Sequence, residues 1–272
     1  MIIYYLNGVY LKAKDAKVSI TDRGFKFGDS VFETIGFERD VFFLLDEHLL
    51  RLKEALFGLK IDYDLSDIKA VLIELLTLNS ISEGSVRITI SRGELSHGYM
   101  PAPANKANIA IEIRAKQNID YTPKDIVVSK YRKPSAKHYP TQLKTCQGLN
   151  STLAIMDARD QGYFDALLLN DEDVITETTS ANIFWVKDNK LFTPALSCSI
   201  LPGTMRAYIL KNTQLTISEV EAKLSDIKSA DYIFLTNSNY KLMPVGKVFD
   251  LNGNLIILSK ITPITSLLGI DI

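Results

Sequence analysis

Cysteine, histidine and tryptophan are scarce in this chain of 272 residues, which contains two, three and one of them. Two cysteines, Cys146 and Cys198, cannot form a disulfide framework in a chain of this length, so we expect both to be reduced. The three histidines, His48, His97 and His138, lie far apart in the sequence and have no second ligand at the spacing of a zinc motif. The composition therefore argues against a disulfide-stapled fold and predicts no metal centre.

An excess of either charge is also missing, because 31 basic and 32 acidic residues give a formal net charge of −1. This balance predicts no general attraction to nucleic acid. The most apolar stretch, residues 254–270, is interrupted by Ser259, Lys260 and Pro263, too soon for the roughly 20 residues of a bilayer span. The first residues, MIIYYLNGVYL, lack a positively charged leader and are typical of a strand. We expect a cytoplasmic protein that binds neither nucleic acid nor membrane.

Neither a GxGxxG motif nor a Walker loop is present, and the chain has no internal repeat. Instead, short strand-like runs are joined by turn signals. Asn7-Gly8 lies between apolar flanks and predicts a hairpin. A second reversal is predicted at Arg39-Asp40, between two further runs of strand-forming residues.

Helical periodicity follows these hairpins and returns later in the chain. In the first of the predicted helices, Asp46 is expected to be the N-cap and Gly58 lies near the end. Ser66 is expected to open the second, and Pro202 is expected in the first turn of the last. The predicted helices cover residues 45–59, 66–79, 150–162 and 201–212.

A polar stretch that contains a proline and fits neither period indicates a domain boundary. We predict a smaller N-terminal domain at residues 1–116, a linker at 117–124 and a larger C-terminal domain at 125–272. Hairpins are mixed with helices instead of alternating regularly with them. This order favours two α+β domains over a doubly wound sheet.

One residue in the second predicted domain is out of character with its surroundings. Glu177 lies in the stretch VITETTSANIFWV, which otherwise reads as two strands of a core. A carboxylate that is removed from water requires a partner, and the local sequence does not supply one.

Residues 142–206 read QLKTCQGLNSTLAIMDARDQGYFDALLLNDEDVITETTSANIFWVKDNKLFTPALSCSILPGTMR. This segment resembles the signature region of the class IV aminotransferases that depend on pyridoxal 5'-phosphate (PLP). DRGFKFGDSVFETI, EHLLRL, SRGELSHGY and FLTNSNYKLMPV match elsewhere, so the resemblance covers almost the whole chain. It implies a two-domain, fold-type IV PLP enzyme of the D-amino-acid aminotransferase kind. It also implies a homodimer, with the cofactor between the two domains.

The resemblance assigns cofactor roles residue by residue. Lys144 matches the lysine that forms a Schiff base with the cofactor and later carries the α-proton, work that requires an amine. Glu177 matches the acid that faces the pyridine nitrogen, which would provide the partner that its burial requires. Arg51 matches an arginine that grips the phosphate with its guanidinium fork. Further phosphate contacts are implied for Gly203, Thr204, Met205, Asn237 and Ser238, some of them at a helix start.

The substrate side is implied for Phe32, Arg87, His97 and Tyr99. Arg87 aligns with an arginine that branched-chain aminotransferases use near the acidic end of the substrate, a suitable task for a guanidinium group. D-amino-acid aminotransferases have a tyrosine where this chain has Phe32, and an Arg-x-His pair where it has residues 97–99. Branched-chain aminotransferases have a tyrosine at the position of Leu149. The chain therefore departs from both patterns.

The resemblance leaves more than one activity open. We expect an aminotransferase that moves an amino group between an amino acid and a 2-oxo acid. Aminodeoxychorismate lyase, which forms 4-aminobenzoate and pyruvate, is the first alternative, because it shares leucine at 149 and the GxMR pattern at 203–206. A protein that binds PLP without catalysis is the second.

Overall fold

The structure, a computed structural model, describes residues 1–94, 96–103, 105–137 and 140–271, of which 96 and 97 are described by their backbone alone. The chain divides into two compact units. The first unit consists of Met1–Asn118 and Leu143–Gln147, and the second of Ile119–Gln142 and Gly148–Ile272. Each unit combines a main β-sheet with helices, which confirms the predicted α+β class.

The first unit begins with a hairpin and places its helices between strands that are distant in sequence. The helices of this unit are α1 (Arg23–Phe27), α2 (Leu45–Gly58) and α3 (Ile68–Asn79). The strands are β1 (Ile3–Leu6), β2 (Val9–Lys12), β3 (Ser30–Glu38), β4 (Val41–Phe42), β5 (Glu83–Ser91), β6 (Ser96–His97), β7 (Met100–Pro101) and β8 (Asn108–Ala115).

Its main sheet has the order β2-β1-β8-β5-β3-β4, with β6 and β7 paired separately. Both predicted hairpin turns are confirmed, because Leu6 pairs with Val9 and Glu38 with Val41. One face of the sheet carries an apolar core shared with the leucines of α2 and α3. Alternate residues of β3, β5 and β8 are only half-buried and define what we call the open face.

The segment Leu143–Gln147 lies beside the start of β3 in the first unit. Thr145 forms an antiparallel bridge with Val31, and the Cys146 amide donates to the Ser30 carbonyl at 3.0 Å. The sequence prediction instead assigned this segment, with all of 125–272, to the second domain. The difference arises because a strand pairing between residues more than 100 positions apart leaves no local signal.

Within its described residues, the second unit contains four α-helices, α4 (Leu149–Asp160), α5 (Thr204–Asn212), α6 (Leu224–Ile227) and α7 (Ile264–Leu268). Its strands are β9 (Lys124–Arg132), β10 (Asp165–Leu169), β11 (Ile175–Thr178), β12 (Asn182–Lys187), β13 (Lys190–Pro194), β14 (Thr216–Val220), β15 (Tyr232–Asn237), β16 (Lys241–Phe249) and β17 (Leu255–Leu258).

The sheet of this unit has the order β11-β10-β9-β16-β15-β12-β13-β14, with β17 on β16. An additional pairing of β11 with β12 closes a circuit of strands. Apolar side chains from these strands fill the main core of the unit, including Ile183, Trp185 and Leu235. Phe184 of β12 and Phe234 of β15 belong to a second core cluster, and their rings stack with centroids 5.2 Å apart.

Three predicted helix starts are wrong by one to three residues. Helix α2 has Leu44 as its N-cap, in a left-handed conformation, and Asp46 lies in its first turn, where its carboxylate suits the helix dipole. Ser66 donates its amide and hydroxyl to Asp64 in a turn that precedes α3. Pro202 precedes the N-cap of α5, because Gly203 is still extended.

Among the residues that the structure describes, none of the helices combines the length and apolarity that crossing a membrane requires.

Candidate functional site

Lys144 is positioned by strand pairing at the edge of the first sheet. Because Thr145 is opposite Val31, Lys144 is opposite Phe32, whose amide donates to the Lys144 carbonyl at 3.0 Å. Cross-strand partners point to the same face of a sheet. The Lys144 ammonium accordingly lies 4.5 Å from the centroid of the Phe32 ring.

Arg87 contacts the same aromatic ring from the next strand. Its Cα partner on β3 is Thr34, so it is diagonal to Phe32 on the open face. The guanidinium carbon lies 3.8 Å from the centroid of the Phe32 ring. Three residues predicted from the sequence, Lys144, Phe32 and Arg87, are therefore brought together within one unit.

Arg51 is directed to the covered side of the same sheet, where it meets a carboxylate. Its Nε and Nη2 donate to the two oxygens of Glu33 at 2.7 and 2.8 Å, and Glu33 has no exposed surface. His48 Nδ1 lies 2.7 Å from Glu33 Oε2. Burial alone would raise the pKa of Glu33, but the hydrogen bonds from His48 and Arg51 outweigh it and lower the pKa to about 2. Glu33 is therefore ionised at neutral pH, and Nδ1 is the donor.

The two remaining substrate-side predictions fall near the β6–β7 hairpin. Tyr99 is 85% exposed; its carbonyl accepts from Arg23 Nη2 at 2.7 Å, and its ring lies 5.4 Å from that of Phe27. The side chain of His97 lies outside the described part of the structure.

Glu177 lies on β11 in the second unit and is 6% exposed. One carboxylate oxygen pairs with the ammonium of Lys133. The other accepts the Leu201 amide at 2.9 Å and the Asn182 side-chain amide at 3.2 Å. The carboxylate is thus held by one cation and two neutral donors from three parts of the unit.

The hydroxyl groups that follow Glu177 in the sequence serve other acceptors. Thr178 Oγ1 donates to the Ala181 carbonyl at 3.2 Å. Thr179 Oγ1 donates to Asp165 at 2.6 Å. Burial raises the pKa of Asp165, although hydrogen bonds from Thr179 and from the Ala166 amide act in the opposite direction.

The start of α5 is held close to the Glu177 carboxylate by Asn182. This side chain donates both to Glu177 and to the Leu201 carbonyl, at 3.0 Å for the latter. Gly203 is the N-cap and brings no side-chain cap; a Cβ there would lie 2.0 Å from Asn182 Oδ1. Thr204 and Met205 are buried in the first turn, where helix amides lack intrahelical partners.

Asn237 and Ser238 lie at the end of β15. The side-chain amide of Asn237 donates to the Ser180 carbonyl at 3.2 Å, which ties this strand end to the β11–β12 turn. Within the second unit, Glu177, Asn182 and the α5 start form one connected group, with Asn237 joined to the same turn through Ser180.

Four polar residues of these groups were not predicted from the sequence as site residues. Glu33, Lys133 and Asn182 make direct hydrogen bonds or ion pairs with predicted site residues, and His48 contacts Glu33. The alternation of β3 could have identified Glu33, since it is a charged residue on the apolar face. Lys133 lies in a polar stretch typical of a solvent-exposed segment, and no local pattern identifies it as a partner of Glu177.

Comparison with known sequences identifies the family of this chain. The sequence profile of the amino-transferase class IV family matches residues 30–248. A Methanocaldococcus jannaschii protein provisionally named branched-chain-amino-acid aminotransferase is 34% identical over 96% of this chain and 92% of its own. Aminodeoxychorismate lyase of Bacillus subtilis is 30% identical over 91% of this chain and 87% of its own.

The fold also matches solved structures. The branched-chain amino acid aminotransferase of Escherichia coli superposes with a TM-score of 0.91 at 24% identity, covering 98% of this chain and 92% of that chain. The chain belongs to the class IV aminotransferase family, which is a family of enzymes.

Proposed function

We propose that this enzyme is a PLP-dependent aminotransferase that moves an amino group between an amino acid and a 2-oxo acid. The observation that carries the proposal is the buried carboxylate of Glu177. It is fixed by Lys133, Leu201 and Asn182 beside a helix start where a Cβ at position 203 would lie 2.0 Å from Asn182 Oδ1. Family membership supports the same cofactor.

The donor set fits the chemical groups of PLP. A carboxylate suits a protonated pyridine nitrogen. Amides at a helix start and an arginine suit a phosphate ester. A lysine on the open face suits an aldehyde, with which amines condense. When bound, PLP supplies that aldehyde and an aromatic ring that accepts electrons from the substrate.

Each residue then has a stated task. Lys144 would provide the amine of the covalent link and would carry the proton taken from the substrate. Glu177 would keep the ring nitrogen protonated, and Arg87 would bind the carboxylate of the substrate beside Phe32. The phosphate would be held by Arg51, Gly203, Thr204, Met205, Asn237 and Ser238; His97 and Tyr99 would complete the substrate side.

Aminodeoxychorismate lyase remains the second candidate. The identity of 30% to the Bacillus subtilis lyase favours it, as does Leu149, which lies exposed at the start of α4 where branched-chain aminotransferases have a tyrosine. Both reactions use the same lysine, carboxylate and phosphate contacts, so these groups do not separate them.

The deciding experiment is an amino-donor panel. Purified protein loaded with PLP is mixed with single L- and D-amino acids, and conversion of the cofactor to its pyridoxamine form is followed by absorbance. We expect conversion by at least one donor. Conversion by none, together with pyruvate release from aminodeoxychorismate, would establish the lyase instead.

Lys144→Ala is the matched control for the covalent link. Borohydride reduction should add the cofactor mass to the wild-type peptide that contains residue 144, and to no peptide of the variant. A wild-type protein that takes up no PLP would reject both candidates. The homodimer and the cytoplasmic location remain parts of this proposal, and light scattering of the purified protein tests the first.

A further inference from the structure

Two cations share one aromatic ring on the open face of the first sheet. The Lys144 ammonium lies 4.5 Å and the Arg87 guanidinium carbon 3.8 Å from the centroid of the Phe32 ring. The two charges are therefore separated by no more than the sum of these two distances. At such a separation, like charges in a protein repel appreciably, because the effective dielectric constant is well below that of water.

Three carboxylates in or next to this sheet are each paired with arginines. Glu112, the cross-strand partner of Arg87, pairs with Arg114 at 2.8 Å. Beneath the sheet, Glu33 is paired with Arg51. At the start of β3, Asp29 is shared between Arg23 and Arg92.

We propose that Arg87 is a positioning residue that enlarges the uncharged, reactive fraction of the Lys144 amine. Only the uncharged amine has the lone pair that attacks an aldehyde. The Phe32 ring acts in the opposite direction, because its π face attracts the ammonium form. The ring fixes both side chains at one place, and the permanent charge of Arg87 opposes protonation of its neighbour. The inference rests on the proposed function, which makes Lys144 the nucleophile.

The test measures the titration of Lys144 in the full-length protein without cofactor. Trace acetic anhydride is applied across a pH series, and mass spectrometry quantifies acetylation of the Lys144 peptide against an exposed reference, Lys53. Arg87→Met keeps the length of the side chain and removes the charge. It should raise the titration midpoint of Lys144 by about one pH unit.

Three further variants make the result specific. Arg87→Lys restores a cation and should return the midpoint close to that of the wild type. Phe32→Leu removes the attraction of the ring and should move the midpoint downward, opposite to Arg87→Met. Arg39→Met, at the exposed turn after β3, should leave it unchanged.

An unchanged midpoint in Arg87→Met would overturn the inference. The inference would also be overturned if Arg87→Met and Phe32→Leu shifted the midpoint of Lys144 in the same direction. Such a result would indicate a general loosening of this edge of the first sheet. The amine can be titrated whether or not the protein binds PLP, so this failure is distinguishable from a failure of the proposed function.

Discussion

Two buried carboxylates show how the same side chain serves different purposes in the two units. Glu33 is satisfied by Arg51 and His48 within its own core. Glu177 is held by Lys133 on one oxygen and by two amides on the other. A carboxylate can accept about four hydrogen bonds, so Glu177 retains capacity for one more donor.

Acid stability should depend on Glu33. Its pKa is lowered from 4.5 to about 2, so its contribution is complete above pH 4.5 and is lost as the pH falls towards 2. Linkage makes this contribution about 3 kcal/mol at neutral pH. Urea unfolding of Glu33→Gln should show lower stability at pH 7 and a weaker pH dependence between 4.5 and 2.

Glu38→Gln, at the exposed end of β3, is the matched control and should follow the wild-type curve. If Glu33→Gln and the wild type lost stability in parallel over this range, the ion pair with Arg51 would not be the source of acid sensitivity.

Glu177→Gln should separate cofactor binding from turnover. The amide keeps the shape of the side chain but cannot hold the ring nitrogen protonated, so kcat should fall on the order of 100-fold. Bound PLP should be retained. Lys133→Gln in the wild-type background breaks the same ion pair and reports how much of the loss comes from it. Wild-type turnover in Glu177→Gln would contradict the assigned role.

Among the elements, the start of α5 and the β11–β12 turn depend on each other. Asn182 lies in β12, yet it binds the Leu201 carbonyl ahead of the helix. This contact requires the backbone at position 203 to approach the asparagine side chain closely. The helix start is therefore fixed by tertiary contact, because α5 has no side-chain cap of its own.

Gly203→Ala should disturb this arrangement. Its Cβ would lie 2.0 Å from Asn182 Oδ1, which forces the asparagine away from Glu177. We expect a loss of about 1–3 kcal/mol in stability and weaker PLP binding, measured by urea unfolding and by cofactor titration.

Gly148→Ala provides the comparison, since Gly148 is also a helix N-cap and a Cβ there meets nothing within 4 Å. It should change stability by no more than about 0.5 kcal/mol. Equal effects of the two substitutions would show that the loss of an N-cap glycine, and not the clash, is responsible.

At the scale of the whole molecule, the chain returns to its first unit for five residues, Leu143–Gln147. This return places Lys144 opposite Phe32. Since side chains alternate between faces of a sheet, a slip of one residue would direct the lysine to the other face. The register at Val31 and Thr145 therefore decides whether the amine is on the open face.

Hydrogen exchange should detect this pairing. The amides of Phe32 and Cys146 donate to Lys144 and Ser30, so both should exchange slowly in the full-length protein. Leu143→Ala removes a side chain that packs against the core of the first unit and should speed both amides together, on the order of tenfold. Met156→Ala, exposed on α4, should affect neither. Fast exchange of both amides in the wild type would refute the register.

Local patterns predicted most elements but not their exact starts. The Asn7-Gly8 and Arg39-Asp40 turns were found because hairpin chemistry resides in adjacent residues. Asp46, Ser66 and Pro202 were misplaced because capping depends on backbone angles that neighbouring contacts select. The assigned roles of Arg51, Glu177 and the phosphate residues came from resemblance, and they remain predictions for the experiments above.

The sequence by itself determined the α+β class and the family, and it named Lys144 and Glu177 as candidates, since periodicity, turn residues and motifs are encoded within short stretches. Only the tertiary structure decided which charges meet. Lys133 reaches Glu177, Glu33 reaches Arg51, and Arg87 joins Lys144 at Phe32, because strand register and the return of residues 143–147 bring together side chains that are remote in the chain.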